Sequence, residues 1–160
     1  MQIINTNELE ELTWISPKGK YSGAGKQVSE ALGRKPTSTD IMERHPFDVE
    51  IARLPPGTTP FPYHSHSAQW EFYHVISGTG LVRHEHGTEK IKPGDAFIFK
   101  PGEAHVLIND GTHDLILYVV ADNPIGESAH YPDSNKFSVR SPKGRSILRS
   151  EPLDYFDGEE

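Results

Sequence analysis

GTTPFPYHSHSAQWEFYHVISG, residues 57–78, sets a pair of histidines and a lone carboxylate into a segment that otherwise reads as a half-buried strand. His64 and His66 stand at i and i+2, so in an extended backbone both project from the same face. Glu71 follows five residues later, at the head of an apolar-rich stretch where an unpartnered carboxylate would be costly to bury. Downstream, His105 opens a further extended segment after the Pro101-Gly102 turn. Three imidazoles and one carboxylate from different strands can converge inside a small barrel, leaving one or two coordination positions for water or substrate. Taken singly, each histidine reads as a surface or hydrogen-bonded core residue. Only the set of four points to a metal.

Working outward, the alternation of apolar and polar residues covers Phe47 to Ala121. Strands are expected over 47–54, 69–76, 81–86, 96–99, 105–108 and 114–121. Turns are expected at Pro55-Pro56-Gly57, Ser77-Gly78-Thr79-Gly80, Gly87-Thr88, Pro93-Gly94-Asp95 and Pro101-Gly102-Glu103. Short strands at regular spacing with turn signals between them indicate an all-β sandwich or barrel. Residues 1–44 read as an N-terminal arm, with a helical turn at Asn7–Leu12, a flexible loop at Ser22–Lys26 and a short helix from Lys26 to Leu32 ended by Gly33. Beyond Asp122 the alternation is lost, and 122–160 read as an irregular tail wrapping the barrel. The expected organisation is one domain: arm 1–44, barrel 45–121, tail 122–160.

Two motifs in this span resemble those of the cupin superfamily. The first is Gly57, then His64-Ser65-His66, four residues, Glu71, six residues, Gly78; the second is Gly94, Pro101-Gly102, two residues, His105, three residues, Asn109. The chain departs from the family pattern by one extra residue before His64 and by Pro101 directly preceding Gly102. Both departures fall in turns and leave the four ligand positions untouched. The resemblance implies a double-stranded β-helix, the jelly-roll barrel of cupins, with His64, His66, Glu71 and His105 holding one divalent transition metal near one mouth. Nitrogen and oxygen donors without sulfur suit iron, manganese, nickel or zinc. The tail segments Tyr131–Ser134 and Asp154–Glu159 are similar to those of small bacterial cupins of the sugar-phosphate isomerase-like kind.

Composition narrows the classes further. The net charge is −7 with no block of Lys or Arg, which disfavours nucleic-acid binding. Zero cysteines exclude disulfides and thiolate ligation. Neither a secretory leader nor a membrane span is evident, nor is there an Asn-x-Ser/Thr sequon, so the expected location is the cytoplasm.

Strand parity separates the other polar residues. Tyr73 shares the parity of Glu71 and is the candidate catalytic residue, either donating a hydrogen bond to substrate or simply filling the barrel. His74 has the opposite parity, His84 and His86 read as a solvated strand face, and Asn109 reads as a support of the barrel. Lys100 and Arg83 are the cations nearest the motifs in sequence and could meet an anionic substrate. The functional expectation is an enzyme acting on a small polar or anionic substrate, of the sugar-phosphate isomerase-like kind. A metal-dependent dioxygenase of a small acid or diol and a non-enzymatic ligand-binding module are the alternatives. The arm suits a homodimer.

Overall fold

The computed structural model describes residues 1–141 and 144–159. The arm contributes β1 (Leu12–Ile15), β2 (Ser22–Gln27) and two one-turn helices, α1 (Val28–Ala31) and α2 (Ile41–Arg44). The alternating region supplies β3 (Phe47–Leu54), β4 (Ser65–His66), β5 (Glu71–Ser77), β6 (Gly80–His84), β7 (Gly87–Ile91), β8 (Ala96–Phe99), β9 (His105–Ile108) and β10 (Leu115–Asp122). The tail adds β11 (Ala129–Tyr131), β12 (Lys136–Ser141) and β13 (Gly144–Leu148). A six-stranded sheet runs β1-β2-β3-β10-β5-β8, a three-stranded sheet β7-β6-β9 and a four-stranded sheet β13-β12-β11-β4, every pairing antiparallel. This is the expected all-β jelly-roll, although the sheets do not close into a continuous barrel.

The core lies between the six- and three-stranded sheets. Leu54, Val75, Leu115 and Leu117 come from the first, and Val82, Ile91 and Leu107 from the second. Side chains at alternate positions of β10 enter this core, and Leu115 and Leu117 lose all contact with water. Each such burial stabilises the fold by about 1.5–3 kcal/mol. Gly78 turns the chain between β5 and β6 at φ +78°, and a Cβ there would strike the backbone of Asp114 and Leu115. Among the described residues, no helix is long and apolar enough to cross a membrane.

Five local expectations need correction. Asn7–Leu12 forms no helical turn: Glu8 N–H donates to Asn5 O at 3.0 Å, a turn, and Leu12 already begins β1. Ser22–Lys26 is no flexible loop but the body of β2. Gly25 is small there because the Glu50 carboxylate fills the space its Cβ would need. The turn after β6 falls on residues 85–86, which lets Gly87 start β7. The tail is more regular than its pattern suggests, since β11 pairs with β4 and places Ala129 opposite His66. The helix before Gly33 is α1, shorter than expected, with Gly33 at φ +97°.

Candidate metal centre

Backbone pairing assembles the site. His64 and His105 face one another across an isolated antiparallel bridge, with His64 N–H donating to His105 O at 3.1 Å and His105 N–H to His64 O at 2.8 Å. His66 sits on β4, and Glu71 opens β5. The donor atoms of His64, His66 and Glu71 lie within 4.8 Å of one another. His105 joins them through Glu71: its Nε2 is 2.8 Å from Glu71 Oε2. The His105 ring also stacks on Phe99 with centroids 3.9 Å apart, which fixes its plane.

The outer nitrogens of the rings are already engaged. His64 Nδ1 meets the Pro62 carbonyl at 2.8 Å, His66 Nδ1 meets Glu127 Oε1 at 3.3 Å, and His105 Nδ1 meets the Glu103 carbonyl at 3.1 Å. An oxygen acceptor at Nδ1 orients the ring and leaves Nε2 as the ligating atom. His66 Nε2 is buried without a hydrogen-bond partner, 3.5 Å from Glu71 Oε2. A buried imine lone pair facing a carboxylate oxygen is unfavourable unless a cation or a proton lies between them. Burial, then the nearby His105 and His66, pulls His64 down to about 4, so its imidazole is neutral at pH 7. Burial by itself would raise Glu71, but its contact with His105 and the surrounding imidazoles of His66 and His64 bring it down to about 2. A neutral imidazole and an ionised carboxylate are the forms that bind a metal, so the residues present fit one.

Residues 50–121 match the model of the cupin domain family. That stretch is a cupin domain. The chain is 38% identical over 64 residues, 39% of its length, to an oxalate-binding protein of Thermotoga maritima, and the match spans about half (51%) of that relative. Among solved structures it is similar to a candidate sugar phosphate isomerase of Acidithiobacillus ferrooxidans, with a TM-score of 0.78 and 21% identity over 92% of both chains. It is similar also to a cupin-superfamily sugar phosphate isomerase of Silicibacter pomeroyi, with a TM-score of 0.77 and 22% identity over 96% of this chain and 98% of that one. At such identities the likeness establishes the fold.

The cavity beside the cluster has a volume of about 270 Å³, and His64, His66, Glu71 and Tyr73 all line it. Tyr73 is buried, stacks on Phe97 at 5.3 Å, and donates its hydroxyl to Glu71 Oε2 at 3.1 Å. Burial, then the charge and hydrogen bond of Glu71, pushes the Tyr73 phenol well above its ordinary value, so it remains a donor. His74 is exposed, and so is His86, which lies in the β6–β7 turn and not on a strand face. Asn109 is fully buried; its Nδ2 donates to Leu54 O at 2.6 Å and His113 O at 2.9 Å, and its Oδ1 accepts from Gly111 N–H at 2.9 Å. Arg83 is turned away from the cavity, paired with Asp133 at 2.6 Å and lying over the Tyr63 ring. Lys100 is exposed and lines no part of the cavity.

Two residues escaped the sequence reading. Glu127 reaches back from the tail to accept from the Ser67, Ala68 and Gln69 N–H groups at 2.8–3.0 Å while holding His66. Glu50, on β3, shares the inward parity of Ala52 and Leu54 and lines the same cavity. It stands opposite Val119, which in turn stands opposite Tyr73, so all three are on one face of the sheet. Burial, only partly offset by a hydrogen bond from Gln27, pushes Glu50 up to about 7, with Asp48, Glu71 and Glu30 adding repulsion.

Proposed function

We propose that this cupin is a metal-dependent enzyme acting on a small polar or anionic substrate by proton transfer, as an isomerase does. The supporting observation is that the His64, His66 and Glu71 cluster and the interior carboxylate of Glu50 share one cavity. In this reading His64, His66, Glu71 and His105 hold one divalent iron, manganese, nickel or zinc ion. A metal ion bound there would act as a Lewis acid on a substrate carbonyl. Glu50 removes a proton from the hydroxyl-bearing carbon beside that carbonyl and returns it to the carbonyl carbon, while the hydroxyl proton passes to the carbonyl oxygen, so the carbonyl migrates with no net gain or loss of atoms. A carboxyl with a value near 7 serves both halves of this exchange at neutral pH. Tyr73 orients Glu71 through its hydroxyl.

The test is bound metal by mass spectrometry for wild type and His66→Ala, followed by incorporation of solvent deuterium into small sugar phosphates and 2-hydroxy ketones. One metal per chain, lost in His66→Ala, with deuterium exchange that falls at least 100-fold in Glu50→Gln, supports the reading. Exchange undiminished in Glu50→Gln would refute the role of Glu50. A second reading, a binding module for a small dicarboxylate, is favoured by the oxalate-binding relative. It predicts tight oxalate binding to the metal-loaded protein and no exchange with any substrate.

We infer also that two copies pair through the outward face of the six-stranded sheet. Phe72, Ile76 and Ile98 are exposed there, with Phe72 directly opposite Ile98. Sedimentation at micromolar concentration should give a dimer that Ile98→Glu dissociates; a monomeric wild type would refute it.

A further inference from the structure

Behind His66 lies a second cavity, of about 170 Å³, lined by Arg34, Arg44, Arg140 and Arg145. These residues come from the arm and the tail, outside the stretch that matches the family. Two of the four are deeply buried: the Arg34 side chain is 8% exposed and Arg44 is 7% exposed. Placing guanidinium groups out of water is costly unless anions neutralise them. Arg44 has no carboxylate partner and donates instead to the carbonyls of Pro36, Ser38, Asn123 and Pro124. Burial, then the charges of Arg140 and Arg34, pulls Arg44 below the usual guanidinium value.

Arg34 is only partly answered. Its Nη1 reaches Asp48 at 3.0 Å and Glu30 at 3.4 Å, and its Nη2 donates to Asn123 Oδ1 at 2.9 Å. Its Nε is buried with no partner. Arg140 and Arg145 face each other across the β12–β13 pair, and neither forms an ion pair among the described residues. The carboxylate in the lining is Glu127, and its oxygens are taken up by His66 and three backbone N–H groups. A chain of net charge −7 thus gathers four guanidinium groups around one small space.

We propose that this cavity binds a phosphoryl dianion, the charged end of the substrate. Guanidinium N–H donors brought together from the arm and from strands β12 and β13 of the tail match phosphate oxygens in charge and hydrogen-bonding capacity. His66, Ala129 and Arg145 line both this cavity and the one at the metal cluster. A phosphorylated substrate would therefore lodge its phosphate among the arginines and present its carbonyl end on the other side of His66. This last step rests on the proposed function; the anion site itself does not.

The probe is inorganic phosphate, titrated by calorimetry into the full chain after removal of metals with a chelator, at constant ionic strength. Wild type, Arg140→Ala/Arg145→Ala and His64→Ala are compared, with oxalate and chloride as rival anions. The expected result is saturable phosphate binding that is tighter than for oxalate or chloride, weakens at least 10-fold in the arginine variant, and persists in His64→Ala. Circular dichroism and unchanged metal loading would show that the arginine variant is folded with an intact cluster. Binding that chloride or oxalate matches would overturn the proposal. So would phosphate binding lost in His64→Ala but kept in the arginine variant, because the anion would then sit at the histidines. Failure of the metal reading leaves this titration untouched, as it is performed without metal.

Discussion

Replacing Glu50 by Gln should make the metal-free protein more stable at neutral pH, against the usual direction for an interior substitution. The wild-type carboxyl rises from 4.5 to about 7 on folding, mainly because burial disfavours its charge. A raised carboxyl binds its proton more tightly in the folded state. Its contribution is therefore fully present below pH 4.5 and is lost as pH climbs through 7. At about 1.4 kcal/mol per unit, the loss comes to about 3 kcal/mol by pH 8. Glutamine has nearly the same shape and no charge to desolvate, so it escapes that loss. The two proteins should be equally stable near pH 4.5, then separate progressively, with the variant ahead by about 3 kcal/mol at pH 8. Every other titrating group is common to both and cancels in the difference.

Urea unfolding at half-unit pH steps, with chelator present, measures this directly. At a slope near 2 kcal/mol/M the midpoints should part by on the order of 1 M at pH 8. Saturating with a divalent cation should shrink the gap, since positive charge in the shared cavity favours the carboxylate. A difference that stays flat with pH would refute the assignment of Glu50 to a desolvated interior position. So would a variant that is less stable at pH 8.

Three further outcomes follow from the contacts. Glu127→Gln should weaken metal affinity by about 10–100-fold in a chelator competition, because His66 loses the charged acceptor at Nδ1. Asn109→Ala should cost about 1–3 kcal/mol in urea unfolding, since it strands the buried Leu54 carbonyl and removes the partner of the half-buried Gly111 N–H. Leu117→Ala should cost about 2–5 kcal/mol in the same assay through the cavity it opens between the two core sheets.

The sequence was legible where physical periodicity and function coincide. β3, β8 and β9 have the expected bounds because their alternation ends at Pro and Gly. That His64 and His66 share a face was legible because a strand carries i and i+2 together, whereas the nearness of Glu71 and His105 was expected from the motif resemblance and is made here by β5 and by the bridge between His64 and His105. Glu50 was not, and β3 shows why. Phe47, Val49 and Ile51 make one apolar face and Ala52 and Leu54 the other, so the strand carries no single inward pattern. The outer face is covered by the arm, where Ser29 Oγ accepts from Val49 N–H at 2.8 Å. An apolar outer face made the inward carboxylate look like the solvated one. β11 has three residues, too short for any period to register, and only its pairing with β4 gives it a role.

The cluster and the contacts around it come from different parts of the chain. The four residues of the cluster lie within 50–121, the part that matches the family. The contacts that shape its surroundings come from elsewhere. The tail supplies Glu127 against His66 and sets β11 beside β4. The arm supplies Gln27 to the Glu50 carboxyl, and arm and tail together enclose the arginine cavity. Arg44 fastens these two segments to each other by donating to Pro36 and Ser38 on one side and Asn123 and Pro124 on the other. The arginine cavity is therefore built by the arm and the tail, and Arg140→Ala or Arg145→Ala should change what binds there while leaving the metal cluster intact.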